Sequence, residues 1–375
     1  MTTVLDDEVI RALFRPLATA DGLLLAVSGG PDSLALLVLA ARWRALETSV
    51  PFMAVATVDH GLRTASREEA LFVEATAASY GLPCRILSWV GDKPRNGVSE
   101  RARRARYELL TRAAIDSGCS HILTAHHEGD QAETVLMRLA AGSGVAGLAA
   151  MRPELESENG VHLARPLLAL PKALLIAVTQ AAGLQAVDDP SNQDKRYLRG
   201  RLRAASEARQ ALGLTDKRLA TLAARCARAE TALDYLARGR FAALSGIGNV
   251  DIAQHIPPVR LAAGIWDEPD EIILRCLALA IALVVNDHGE KEKSHAAAYS
   301  PLRLMRLERL LSELRDAHDD NSAAKQRMLK SASRKTRTLG GAMITVSAGG
   351  EMMIAPEPPR KNSPFRNSSH SEKGI

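Results

Sequence analysis

Aromatic residues make up only 3% of this sequence. Its core must therefore be built from Leu, Ala, Val and Ile. The four cysteines, Cys84, Cys119, Cys226 and Cys276, are far apart and form no C-x-x-C pair. Zinc, iron–sulfur and disulfide readings are weak on that spacing, and reduced thiols in a cytosol are the simplest account. Long apolar runs are missing too. The longest, Cys276 to Val285, falls well short of the ~20 residues a membrane span requires. The opening stretch, Met1 to Glu8, is acidic and does not resemble a secretory signal. A cytoplasmic protein with no membrane partner is expected.

The chain has 375 residues, 46% of them hydrophobic and 24% charged. That composition fits a soluble globular protein with room for two or three domains. The net charge of +5 and the pI near 9.1 permit a polyanionic partner without specifying one.

One stretch organises the chain. Leu23-Leu24-Leu25-Ala26-Val27 reads as a buried strand, and Ser28-Gly29-Gly30-Pro31-Asp32-Ser33 follows it directly. Leu34, Leu36, Leu37 and Leu39 then open a helical run. A strand, a loop of small residues and a helix N-terminus make an anion site, because unpaired amides and the helix dipole face the loop.

The pattern of a strand followed by a helix repeats. Strands are expected at Pro51 to Val58, Cys84 to Val90 and His121 to Ala125, with helices over Asp6 to Ala18, Ser66 to Tyr80 and Ser99 to Ser117. Such alternation predicts an α/β fold, a doubly wound parallel sheet covered on both faces. Ligands bind such sheets at the carboxyl ends of the strands. Ser28 to Ser33, Asp59-His60 and His126 to Asp130 all fall just after an expected strand.

Four regions are expected. Residues 1–205 form the nucleotide domain and 206–330 an Ala- and Leu-rich helical domain. Residues 331–357 form a short β hairpin region, and 358–375 a disordered tail rich in Pro, Ser, Asn and Lys.

Ser28 to Ser33 resembles the pyrophosphate-binding loop of the ATP pyrophosphatase superfamily, S-G-G-x-D-S. Further segments follow in order: Val58-Asp59-His60-Gly61-Leu62-Arg63, Ala102 to Tyr107, Thr124-Ala125-His126-His127 and Asp130-Gln131-Ala132-Glu133-Thr134. Gly142 to Leu148, Arg165-Pro166-Leu167-Leu168 and Asp189-Pro190-Ser191-Asn192 complete the set. Together they resemble the tRNA(Ile)-lysidine synthetase family over about residues 20–205. Two positions depart from its pattern. Gly129 stands where an acid is usual, and Gly200 follows Arg199 where asparagine is common.

The resemblance implies an adenine nucleotide alpha hydrolase-like, Rossmann-like sheet, ATP and Mg²⁺ as cofactors, and a two-step ligation. ATP adenylates the C2 carbonyl oxygen of the wobble cytidine in the CAU anticodon of an isoleucine tRNA. Free L-lysine then displaces AMP to give lysidine. Membrane and DNA are not expected partners.

The chemistry suits the residues. Amides between Gly29 and Ser33, with the Ser28 and Ser33 hydroxyls, suit the phosphates; Pro31 belongs to the loop but has no N–H to offer. Asp32 and Asp130 are candidate Mg²⁺ ligands, since that ion prefers hard oxygen donors. Each could also be an ordinary acid at a helix start. Arg103 and Arg106, three apart on one helical face, suit a phosphate, although charge runs are commonly solvated faces. His126 or His127 could touch the phosphate or the base, the other being a packed support. Asp59 and His60 are assigned near the adenosine or the base. Basic residues such as Lys217, Arg218, Arg225 and Arg228 could follow a tRNA backbone. The alternatives are a tRNA thiolation enzyme of the same superfamily, which needs a sulfur-carrying cysteine, and a catalytically silent RNA-binding protein.

Overall fold

The computed structural model describes residues 4–61, 66–90, 98–156, 159–187, 198–247, 258–285, 301–326 and 335–358. Leu62-Arg63, Asp189 to Asn192 and the tail from residue 359 lie outside the described residues. The chain divides into two compact units. One is residues 1–231 with 292–301, and the other is 232–291 with 302–375.

The first unit is built on a six-stranded sheet. Its strands are β1 (Gly22–Ala26), β2 (Phe52–Asp59), β3 (Cys84–Ser88), β4 (His121–Leu123), β5 (Glu154–Glu156) and β6 (His162–Ala164), in the order β3-β2-β1-β4-β6-β5. The first five positions in that order are parallel, and β5 pairs antiparallel with β6 at the edge. The β5–β6 pair was not expected. Each of its strands is only three residues long, too short for an alternating pattern to register.

β1 is central, and all five of its residues are buried. Leu23 and Leu25 face one core with Leu34, Leu36 and Leu37 of α2 (Pro31–Leu46) and Val73 of α3 (Ser66–Ser79). Leu175 and Val178 of a later helix, Lys172–Ala181, join the same core. Leu24 and Ala26 face the other core with Leu110, Ala113 and Ala114 of the helix Val98–Asp116. Small residues on that face (Ala26, Ala54, Ala56) let the helix lie close. Each fully buried leucine contributes about 1.5–3 kcal/mol, which replaces what a core poor in aromatics lacks.

Strand order reverses direction between β1 and β4, because β1 leads outward to β2 and β3 while β4 lies on its other side. The carboxyl ends of β1 and β4 therefore flank a crevice at the switch point, where ligands of such sheets bind.

In the second unit, the helix Asp270–Val285 packs on an antiparallel sheet of β7 (Val259–Leu261), β8 (Lys335–Leu339), β9 (Ala342–Val346) and β10 (Met352–Pro356). The order is β7-β10-β9-β8. The expected hairpin is thus part of a four-stranded sheet, closed by a three-residue strand that precedes the helix Asp270–Val285. Among the described residues, no helix is long and apolar enough to cross a membrane.

Candidate active site

The loop after β1 is closed by its own serines. Ser33 Oγ donates to the Gly30 carbonyl at 2.9 Å and accepts the Ser28 N–H at 3.1 Å. That hydroxyl's single proton is thereby committed to the loop, while Ser28 is exposed at its tip. Gly29 has φ +84°, and a Cβ there would sit 3.3 Å from Val187 Cγ2. A side chain is thus disfavoured by both backbone and space. Gly30 is the extended N-cap of α2, with Pro31 at its first position. The first-turn amides of α2, at Asp32 and Ser33, have no carbonyl a turn earlier in the helix and point toward the crevice.

The second wall follows β4. His127 caps the helix α5 (Glu128–Ala140): its Nδ1 accepts the Gly129 N–H at 3.0 Å, while its own N–H donates to Asp130 Oδ2 at 3.1 Å. With Nδ1 accepting, the proton of the neutral ring is on Nε2. That Nε2 stands 3.7 Å from Asp32 Oδ2 and 3.5 Å from Asp130 Oδ2. The fold thus gathers both expected carboxylates around one imidazole.

Asp32 Oδ1 is buried and has no hydrogen-bond partner among the described residues. Burial raises the Asp32 pKa and Asp130 adds to that, against the opposing pull of His127 and Lys172. Lys172 Nζ lies 3.9 Å from Asp32 Oδ2. Two carboxylates, one with an orphaned oxygen, form an oxygen donor set that fits a hard divalent cation such as Mg²⁺.

Beside them is a group of arginines. His126 Nδ1 is 2.9 Å from Thr124 Oγ1. Its pKa is pushed down to about 4, chiefly by burial; Asp130 pulls it upward, and Arg165, Arg103 and Arg199 push it down. Arg103 lies over the Tyr107 ring at 5.2 Å. Burial lowers the Arg106 and Arg165 pKa values, with Arg103 adding to both, and Arg165 Nε is buried without a partner among the described residues. Clustered, partly desolvated guanidinium groups are costly without an anion among them.

Arg203 binds Glu133 through two bonds, Nε to Oε1 at 2.6 Å and Nη2 to Oε2 at 3.2 Å. Its Nη2 is also 3.7 Å from Asp130 Oδ1. Asp59 Oδ1 accepts from the Gly61 N–H at 2.8 Å and from Ser66 Oγ at 2.5 Å, so it shapes the turn after β2.

The structure therefore brings together Ser28 to Ser33, Asp32, Asp130 and His126, with Arg103 beside His126 and Arg106 beside Arg103. Sequence reasoning missed the roles of Glu133 and Lys172. Glu133 lies one turn after Asp130 on the same helical face. Lys172 opens its helix, where a cation opposes the dipole, and that mismatch was a usable signal.

A parallel sheet with S-G-G-P-D-S at its switch point defines a PP-loop ATP-binding protein, and the model of the PP-loop domain family matches residues 3–207. The chain is 45% identical over 356 residues to the tRNA(Ile)-lysidine synthase of Bradyrhizobium sp. (strain BTAi1), covering 93% of this chain and 94% of the relative. It is 44% identical over 364 residues to the tRNA(Ile)-lysidine synthase of Bradyrhizobium diazoefficiens, with 96% of each covered. Among solved structures, the U34-tRNA thiolase NcsA from Methanococcus maripaludis shares the fold, with a TM-score of 0.51 and 17% identity over 58% of this chain and 77% of that one. The chain belongs to the tRNA(Ile)-lysidine synthase family.

Proposed function

We propose that this chain is an ATP-dependent ligase that joins free lysine to C2 of the wobble cytidine in the CAU anticodon of an isoleucine tRNA, acting in the cytoplasm. The observation that carries the reading is the meeting of the PP loop, the Asp32–His127–Asp130 group and the arginines at one sheet switch point, in a chain that matches lysidine synthases along nearly its whole length.

The first step needs the triphosphate held and its leaving group stabilised. The amides of Gly29, Gly30, Asp32 and Ser33 and the Ser28 hydroxyl suit the pyrophosphate. Mg²⁺, held by Asp32 and Asp130, would neutralise charge on the phosphates. His127 holds the two carboxylates apart from one another and in place. Arg103, Arg106 and Arg165 suit an anion, either the α-phosphate or the anticodon backbone. His126, kept neutral, faces that group. The second unit positions the tRNA through backbone contacts, which orient without reading sequence.

The thiolation alternative finds little support in the four cysteines, all of them free thiols. Cys84 opens β3 at the amino end of the sheet, and burial with Glu74 pushes its pKa up to about 11. Cys119 precedes β4, also at the amino end, and Cys276 is pushed up to about 12 by burial. A thiolate nucleophile needs a lowered pKa.

The test is incorporation of labelled lysine into an isoleucine tRNA transcript bearing CAU, with ATP and Mg²⁺ present and a methionine tRNA as control. Label in the first alone is expected. ATP cleavage to AMP without label would mean a different nucleophile, and neither cleavage nor label would mean a silent binder.

A further inference from the structure

A second group of ligating side chains lies at the amino edge of the same sheet, opposite the ATP loop. His121, the first residue of β4, is the register partner of His162 on β6. Glu154 on β5 pairs with Ala164, two residues beyond His162, so Glu154 and His162 are diagonal neighbours on one face. Three adjacent strands thus present a row of two imidazoles and a carboxylate.

The three side chains converge on one point. The two rings stack with centroids 4.7 Å apart and planes 16° from parallel. Glu154 Oε1 is 2.7 Å from His162 Nδ1 and 3.5 Å from His121 Nε2. Each residue offers a ligand atom, and all three atoms lie within 4.8 Å of one another. Bonds of about 2.0–2.1 Å in a tetrahedral zinc site put ligand atoms roughly 3.3 Å apart, a value that the two measured edges bracket.

The surroundings are those of a ligating histidine. Ser120 Oγ is 2.9 Å from His121 Nδ1 and accepts the Asp21 N–H at 3.1 Å. A hydroxyl oxygen has two lone pairs, so it can also accept the Nδ1–H of His121, the tautomer in which Nε2 would be free to ligate a cation lying between it and Glu154. Metal-bound imidazoles are held in this way by an outer hydrogen bond.

We propose that His121, His162 and Glu154 form a site for a divalent transition metal of the zinc class, which fastens the β5–β6 hairpin to β4. Nitrogen, nitrogen and oxygen donors suit zinc, with water in the fourth position. The hairpin has reason to need a fastener. Its edge strand is three residues long and exposed throughout, and so short a pair is marginal by itself. The ligands come from separated stretches of chain, so no sequence motif announces them.

The test strips the full chain with EDTA and titrates it with Zn²⁺ alone, reading affinity against a chromophoric chelator and the Tm. Binding of one equivalent with a rise in Tm is expected. His162→Ala and Glu154→Gln should each weaken that binding by at least about 10-fold, since even an outer partner of a metal site has effects of that size. Both should also lose the rise in Tm. Asp32→Ala should keep both, which separates this site from the ATP edge. Glu154→Gln conserves shape at a half-exposed position, so loss of binding with unchanged circular dichroism cannot come from misfolding. Unchanged affinity in His162→Ala or Glu154→Gln, or no Tm response in the parent chain, would overturn the site.

Discussion

The amide of Gly129 donates to Nδ1 of His127 at 3.0 Å, and this one bond decides which ring nitrogen faces Asp32 and Asp130. The glycine at that position is therefore a fitted part of this chain's site. A Cβ on Gly129 would lie 2.8 Å from His127 Cε1 and 3.1 Å from Nδ1, with Asp216 Oδ2 at 3.4 Å behind it. The ring is buried and held at both ends, so it has nowhere to swing.

Gly129→Ala should accordingly lower both stability and turnover. Forcing a methyl into a packed site costs about 1–3 kcal/mol. Displacing His127 also loosens both carboxylates, so tRNA-dependent ATP cleavage should fall at least about tenfold, the kinetic equivalent of about 1.4 kcal/mol. Gly129→Asp, which restores the acid usual in the family, should do worse here rather than better. Normal turnover in Gly129→Ala would show that the His127 orientation does not matter.

Asp32→Asn should separate activity from stability. Burial raises the Asp32 pKa in the folded chain above its unfolded value of 3.8. The sign follows: the group favours folding below pH 3.8, and that contribution is lost as pH rises through the raised value. At pH 7 the ionised carboxylate is thus a burden on the fold, and the neutral amide removes it. The variant should melt no lower than the parent at pH 7 while losing ATP–pyrophosphate exchange. A clear drop in Tm would mean that the contacts with His127 and Lys172 outweigh the burial.

The loop, the sheet and the two carboxylates were legible because each is carried by adjacent residues or by strand–helix alternation. Ser28 to Ser33 is contiguous, and Asp130 lies in the first turn of the helix that follows β4. What escaped was made by residues distant in sequence. Arg203 reaches Glu133 across 70 positions, and the His121–Glu154–His162 row is assembled by strand register alone. The β5–β6 hairpin escaped for a related reason, since three residues cannot display a period. The assignment of His127 as support and His126 as the residue facing the arginines also depended on structure, because two adjacent histidines look alike until one is seen to cap a helix.

Arg203 and Glu133 should prove energetically coupled. Removing one partner of a fully buried pair costs about 3–5 kcal/mol. Arg203 is a third exposed, and Arg199 Nε waits 3.7 Å from Glu133 Oε2, so Arg203→Ala should cost less, about 2 kcal/mol. A double-mutant cycle with Glu133→Gln, read by urea denaturation, should give a coupling above about 0.5 kcal/mol. Additive losses would mean that the two bonds are not maintained in solution.

His126 should set part of the acid sensitivity of the first unit. Its folded pKa of about 4 lies below the unfolded 6.5, because burial and the arginines oppose a charged ring. A base whose pKa is depressed by folding contributes stability above its unfolded pKa, and loses it as pH falls from 6.5 toward 4. His126→Gln should therefore flatten the fall of Tm across that window. Direct titration of the His126 ring by NMR offers a sharper check. The free chain should show little protonation at pH 5.5. Added pyrophosphate, by neutralising Arg103, Arg165 and Arg199, should move the midpoint upward. A ring that titrates normally in the free chain would mean that it is not buried among the arginines, and a midpoint unmoved by pyrophosphate would mean that they do not receive the anion.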